Sequence, residues 1–308
     1  MKQLDEIQRR LLQEVADLHT VPEGAYNIRA NGVSAARAVT ANIDIVTKTD
    51  KPGIDVTVKP GTKNESVHIP VVLTESGLKE TVYNDFHIGR DADVVIVAGC
   101  GIDNCGNQDA QHDGIHRFWL EPGARVKYVE KHYGGGEGTG ERIMNPQTVI
   151  HLEEGAYMEM DTSQIRGIDS THRETTVDAG PGAEIVVLEK LMTHGKQQAV
   201  SDMTIHLNGD DSRGRVISRS VAQEESRQVF HPNMEGNARC FGHVQCDTII
   251  MGSAKVASIP AIIANHVDAQ LIHEAAIGRI AGDQLLKLLT LGLSEEEAEE
   301  RILAGFLK

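Results

Sequence analysis

The chain of 308 residues has few aromatic side chains: five Phe, five Tyr and one Trp make up only 4% of it, beside 30 glycines. That balance suits many short strands and tight turns better than a helix bundle. Cations are outnumbered, with 30 Lys and Arg against 45 Asp and Glu, and the formal charge of −15 opposes any general attraction to nucleic acid phosphates. No apolar run approaches the roughly 20 residues needed to span a bilayer, and the opening MKQLDEIQRRLLQEVADL has no apolar signal core. A soluble, cytoplasmic protein with neither a membrane nor a nucleic-acid partner is expected. Four cysteines make a poor disulfide framework in a chain of this size. In a reducing cytosol such thiols stay free to bind metal or to react.

What is present divides into three textures. Leu4, Ile7, Leu11, Val15 and Leu18 recur at spacings of three and four, which predicts a short amphipathic helix ended by Val21-Pro22. From about 24 to 262, runs of Val, Ile and Thr alternate with polar residues, as in Ala41-Asn42-Ile43-Asp44-Ile45-Val46, between Gly, Asn and Asp turns. One turn recurs as Arg90-Asp91-Ala92-Asp93-Val94, Pro122-Gly123-Ala124-Arg125-Val126, Glu154-Gly155-Ala156-Tyr157-Met158 and Pro181-Gly182-Ala183-Glu184-Ile185, its alanines 32, 32 and 27 residues apart. Near-constant spacing of this kind predicts stacked coils, a β-helix solenoid, with a β-sandwich of similar hairpins as the alternative. After Pro260, Leu271, Ala275, Leu285, Leu286, Leu288 and Leu289 read as a helical segment closed by Gly292. Ser294 with Glu297 then forms a capping box for a second helix running to Phe306. The expected fold is mainly β, with an N-terminal helix over 1–23, a β-helix core over 24–262 and a helical hairpin over 263–308.

Two constellations carry chemistry. Cys246 lies on a segment read as a strand, Gly242-His243-Val244-Gln245-Cys246-Asp247, and a lone cysteine there is ordinarily packing. His273 and Glu274 stand side by side where the helical segment is expected to begin, and neighbours on a helix do not share a face. The second constellation is Cys100 and Cys105 followed by His112 and His116, a zinc-like composition without the familiar finger spacing. Cys240, six residues before Cys246, would face the same side of an unbroken strand and is a candidate auxiliary ligand or a core residue. The run Gly134-Gly135-Gly136-Glu137-Gly138-Thr139-Gly140 lacks the Lys-Ser/Thr of a phosphate-binding loop and reads as a flexible loop.

The stretch from Cys246 through His273-Glu274-Ala275-Ala276-Ile277-Gly278-Arg279-Ile280 to Asp283-Gln284-Leu285, Gly292-Leu293-Ser294-Glu295-Glu296 and Gly305-Phe306 resembles the SufB/SufD family of iron–sulfur cluster assembly proteins. The resemblance implies a right-handed parallel β-helix that dimerises through its strands and a helical C-terminus that docks a SufC-like ABC ATPase. It implies a transient iron–sulfur cluster held by Cys246 with Glu274 or His273, and delivery to acceptor proteins. A thiolate with imidazole or carboxylate suits a labile cluster. The chain resembles the compact form of archaea and anaerobic bacteria, which permits either a homodimer or pairing with a SufB/SufD-like paralogue. A scaffold rather than an enzyme is expected, and Cys100, Cys105 and Cys240 remain candidate metal ligands. The rival readings are a cupin-like metal-dependent β-fold enzyme, suggested by His116, the Glu121-Pro122-Gly123-Ala124 turn and His132, and a β-helix carbohydrate enzyme with paired carboxylates.

Overall fold

A computed structural model of the chain describes residues 4–18, 20 and 22–307. Helix α1 (Glu6–Ala16) precedes two antiparallel hairpins, β1 (Ala25–Ala30) with β2 (Val33–Ala38) and β3 (Ile43–Thr47) with β4 (Gly53–Val58). The coils then run β5 (Lys63–Leu73), β6 (Lys79–Ile88), β7 (Asp93–Asp103), β8 (Ala110–Leu120), β9 (Arg125–Gly135), β10 (Arg142–Met144) and β11 (Gln147–Leu152). They continue as β12 (Tyr157–Arg166), β13 (Ser170–Ala179), β14 (Glu184–Thr193), β15 (Gln198–Leu207), β16 (Arg213–Ala222), β17 (Arg227–Gly236) and β18 (Phe241–Ile250). The last coil holds β19 (Lys255–Ser258), β20 (Ala261–Ala264) and β21 (Gln270–Gly278), before α2 (Gly282–Thr290) and α3 (Glu295–Phe306).

Past the hairpins every pairing is parallel, and alternate strands enter alternate sheets. One sheet runs β2-β1-β5-β7-β9-β12-β14-β16-β18-β21 and the other β19-β17-β15-β13-β10-β8-β6-β4-β3. The chain is thus a β-solenoid of about eight turns, which removes the β-sandwich and a closed cupin barrel.

The recurrent turn is what keeps the coils in step. Asp91, Gly123, Gly155 and Gly182 all take φ between 54° and 72°, the left-handed region that favours Gly and tolerates Asp. Their backbone amides donate to the carbonyl of the turn above: Asp91 to Pro122, Gly123 to Glu154, Gly155 to Pro181 and Gly182 to Asp210. The following alanines, 92, 124, 156 and 183, are buried corner posts. The series continues where the pattern was not legible, with Ser212 and Cys240 at the same corner. Within strands, inward residues alternate strictly with outward ones, so Val126, Tyr128, Glu130 and His132 of β9 all face the lumen.

Helix α1 lies on the outside of the first coils, where Gly99 and Gly101 of β7 leave room for it. A Cβ at 99 would come 2.4 Å from the Val15 carbonyl oxygen, and one at 101 would come 3.1 Å from Leu11. Its buried stripe is Gln8, Leu11, Leu12 and Val15, while Ile7 is exposed. The expected stripe holds at Leu4, Leu11, Val15 and Leu18 and fails at Ile7, and Asp17 in a left-handed conformation ends the helix. Of the expected stop, Val21 lies outside the described residues.

The region after Pro260 corrects the sequence reading. Residues 261–264 and 270–278 are strands, because backbone pairing to β17 and β18 prolongs the solenoid by one more coil. The helices begin only at Gly282. Gly292, at φ 91°, follows α2, and Ser294 and Glu297 exchange the side-chain bonds of a capping box at α3. The glycine run ends β9 at Gly134 and Gly135 and continues as a loop, but a packed one. Its amides at 138 and 140 bond to the carbonyls of Asn104 and Gly106, and a Cβ at Gly140 would come 2.1 Å from the Gln108 carbonyl oxygen. These glycines permit close backbone approach rather than freedom.

Candidate functional site

Cys246 lies inward on β18 and His273 inward on β21, the last strand of its sheet. The register places Val244 opposite His273 and Cys246 opposite Ala275, so the two side chains meet on a diagonal. Cys246 Sγ stands 3.7 Å from His273 Nε2. Two ligands of one tetrahedral metal, about 2.3 Å away for sulfur and about 2.0 Å for nitrogen, stand roughly 3.5 Å apart. The pair is spaced as ligands of a single metal.

Glu274 points the other way. On a strand, as on a helix, adjacent residues do not share a face, so the expected divergence of His273 and Glu274 holds for a different reason. Glu274 sits on the outer surface, with Oε2 3.6 Å from His243 Nε2. Burial pushes the Cys246 thiol up to about 11, an effect partly offset by the Ser258 hydroxyl and reinforced by the carboxylates of Glu189 and Asp247. A cation arriving at this sulfur must displace its proton. Only 3% of Cys246 is exposed, yet Ala275 on the final strand is open to solvent.

Cys246 belongs to a column of residues in strict register: Ala98, Glu130, Thr162, Glu189, Ser218, Cys246 and, on the last strand, Ala275. Glu189 accepts from Ser201 at 2.9 Å and from Ser218 at 3.2 Å, and pairs with Arg173 at 3.4 Å. Deeper in, the Tyr128 hydroxyl donates to Glu130 at 3.0 Å and lies 2.6 Å from His116 Nδ1. Burial opposes the charge on Glu130, but His132, His116 and Arg173 together hold its carboxyl far below the usual range. Burial lowers His116 to about 4, with the Glu130 carboxylate opposing the shift. None of Tyr128, Glu130, Arg173 or Glu189 was singled out in the sequence. Their one signal was strand parity, since each alternates in phase with buried neighbours.

The other candidates separate. Cys100 is buried in the lumen of β7, beside the inward His112 and His116 of β8. Cys105 follows the strand end, is exposed, and its thiol lies 3.2 Å from Asp103 Oδ1. Cys240 packs in a corner of the solenoid, and six residues of extended strand put it roughly 20 Å along from Cys246. On the outer face, His172 Nε2 and His231 Nδ1 flank Asp202 at 2.6 and 2.5 Å.

Residues 77–306 match the model of the SUF system FeS cluster assembly, SufBD core domain. The chain belongs to the SufBD family. It is 26% identical over 255 residues to an iron–sulfur cluster assembly SufBD family protein of Methanocaldococcus jannaschii, covering 82% of this chain and 79% of that one. A SufBD family protein of Methanothermobacter thermautotrophicus is 25% identical over 264 residues, 83% of this chain and 62% of its own length. The iron–sulfur cluster assembly protein SufB of Bacillus subtilis is 27% identical over 161 residues, 51% of this chain and 34% of SufB. The SufBD match includes β18, β21 and both C-terminal helices, and among the described residues no helix is long and apolar enough to cross a membrane.

Proposed function

We propose that this SufBD chain is a cytoplasmic scaffold on which an iron–sulfur cluster is built, with Cys246 and His273 holding the nascent cluster. The observation that carries the reading is the 3.7 Å approach of Sγ to Nε2 on the last coil. One soft and one borderline donor make an incomplete site, suited to a cluster that must leave again. Sulfide and further iron ligands complete it during assembly, and acceptor proteins take the product.

The free edge of β21 supports a shared site. It carries Ile272 and Ile277, each nearly half exposed, along nine residues with no strand beyond them among the described residues. A second copy of this chain, or a SufB/SufD-like paralogue, pairing there would bring a second set of donors to the same end. Glu274, on the outer face, then serves the partner's side of the interface or a later transfer step.

The C-terminal hairpin is the docking element for a SufC-like ABC ATPase. No residue of α2 is buried, and Leu286 and Leu291 are 61% and 73% exposed. Arg219 on β16 donates to the Phe306 carbonyl, so force applied to the hairpin reaches a strand next to that of Cys246. ATP hydrolysis by the partner supplies the energy, and this chain acts as scaffold rather than enzyme.

Anaerobic reconstitution with ferrous iron and sulfide tests the reading. The wild-type chain gains a broad visible charge-transfer absorbance, and Cys246→Ser loses most of it. Retention of the full absorbance by Cys246→Ser removes the proposed ligand.

A further inference from the structure

The outer face of the sheet that holds β13, β15 and β17 carries a set of donors that the last-coil site does not use. Gln147 on β11, Glu174 on β13, Asp202 on β15 and His231 on β17 stand opposite one another in strict register, a row across four neighbouring strands. All four point outward, as does His172, two residues before Glu174 on the same strand. The side chains of His172, Glu174 and Asp202 are 48%, 49% and 39% exposed.

These three converge. His172 Nε2 lies 2.6 Å from Asp202 Oδ2 and 4.0 Å from Glu174 Oε1, and one ligand atom from each of the three residues lies within 4.8 Å of the other two. Each carboxylate is held by its other oxygen. Gln147 Nε2 donates to Glu174 Oε2 at 2.9 Å, and His231 Nδ1 donates to Asp202 Oδ1 at 2.5 Å. Hydrogen bonds of this kind behind a ligating carboxylate are the usual support of a metal site. His172 is set by a break in the neighbouring coil: Asn145 stands between β10 and β11, and its Oδ1 accepts from the His172 N–H at 2.9 Å. At that break a groove of about 360 Å³, lined by Asn145, Pro146 and Gln147, opens beside His172 and Glu174 and admits water and small solutes.

The charges on this face call for a cation. Two carboxylates directly opposite on adjacent strands repel each other. The ion-pair partners of Glu174 and Asp202 among the described residues are His172 and His231, which are charged only when protonated, and no Lys or Arg stands with them. We infer that His172, Glu174 and Asp202 form a single-metal site on the outer face that takes a divalent transition-metal ion, Mn(II), Fe(II) or Zn(II), with positions left open to water.

Bonds of about 2.0–2.2 Å to one ion put two ligands roughly 3.3 Å apart. The 2.6 Å contact therefore opens and the 4.0 Å contact closes, changes that half-exposed side chains make by rotation. An ion entering between His172 and Asp202 takes the place of the Nε2 proton. A neutral ring then carries its proton on Nδ1, and a protonated ring releases one to solvent. The two carboxylates balance the charge of the ion. An imidazole among the donors favours these metals over Mg(II), which prefers oxygen and its own water. Three protein donors are the number of an open, exchangeable site rather than a closed structural one. The site faces away from the lumen on the sheet that does not contain β18, so it stands independently of the cluster-building reading.

The test uses the full chain carrying Cys246→Ser, stripped with a chelator and titrated with Mn(II), whose free ion gives a six-line electron paramagnetic resonance signal. One ion per chain should bind more tightly than any other, and its spin-echo modulation should show an imidazole nitrogen. His172→Ala should abolish the nitrogen modulation, whereas His206→Ala, which removes another outward imidazole of the same sheet, should leave it intact. Asp202→Asn should remove the tight site. His231→Ala, which removes the support behind Asp202, should weaken it by about 10- to 100-fold. A modulation that survives His172→Ala, an affinity unchanged in Asp202→Asn or His231→Ala, or Mn(II) held weakly by many carboxylates with no nitrogen beside it overturns the site.

Discussion

The middle and the end of the solenoid use the same inward column for opposite purposes. Glu130 and Glu189 sit in coils with a neighbour on each side: Tyr128 and His132 of its own strand flank the first, and Ser201, Ser218 and Arg173 from both sheets surround the second. Cys246, two coils on from Glu189, is covered by the last strand alone, with Ala275 directly opposite and one imidazole on the diagonal at 3.7 Å. Glu189 is held by the hydroxyls and guanidinium around it. The terminal pair is left with coordination to offer, because no further coil closes over it. Position in the stack, more than residue type, separates a structural polar group from a reactive one.

The largest effect that would sharpen this contrast is in the interior. Glu189→Ala leaves the guanidinium of Arg173 short of its carboxylate and should cost about 3–5 kcal/mol, read as a fall in the urea midpoint. Cys246→Ala, removing a sulfur at the stack's end, should cost only about 1 kcal/mol in the same assay. Equal losses would break the distinction between the two regions. The C-terminal hairpin should respond less than the interior: Ser294→Ala removes the hydroxyl that accepts from the Glu297 N–H and should cost about 1 kcal/mol locally, seen as faster amide exchange over α3 with the coils unchanged.

The smallest effect lies on the outer face. Burial opposes ionisation of Asp202, but hydrogen bonds from His172 and His231 outweigh it and hold the carboxyl below its ordinary value. A depressed carboxylate contributes stability that is present above its unfolded pKa of about 3.9 and is lost as pH falls through the lower folded value. Acid unfolding curves of Asp202→Asn should therefore be flatter than wild type below about pH 4 and superimpose on it near neutrality, apart from a constant offset. A steeper acid limb in the variant would reverse the sign and contradict the assignment.

Much of the architecture was legible because backbone geometry restricts residue choice. A left-handed corner demands Gly or a tolerant Asp, so Asp91, Gly123, Gly155 and Gly182 declared the coils at once. Ser212 and Cys240 did not, since any small side chain fills the corner behind them. The strand at 270–278 was misread as helical because its apolar residues satisfy a helical spacing as readily as an alternating one. Only pairing with β18 decides, and pairing is not local. That misreading left the divergence of His273 and Glu274 untouched, because both geometries turn neighbours apart.

The chemistry was legible in part. Cys246 and His273 were singled out, and the fold supplies what spacing could not, the diagonal that joins residues 27 apart. Cys100 with His112 and His116 was visible as composition, while Cys105, five residues on and past the strand end, faces solvent. Glu130, Arg173 and Glu189 were missed because charged residues are normally read as surface. Inside a solenoid they are satisfied by neighbours contributed from other coils, which sequence order conceals.

The central claim is that Cys246 and His273 bind the same cluster. Pulsed electron paramagnetic resonance on the reconstituted, reduced wild-type protein tests it most directly. The spectrum should show a histidine-nitrogen coupling to the cluster that disappears in His273→Ala and persists in Glu274→Ala. A coupling that persists unchanged in His273→Ala would contradict the account.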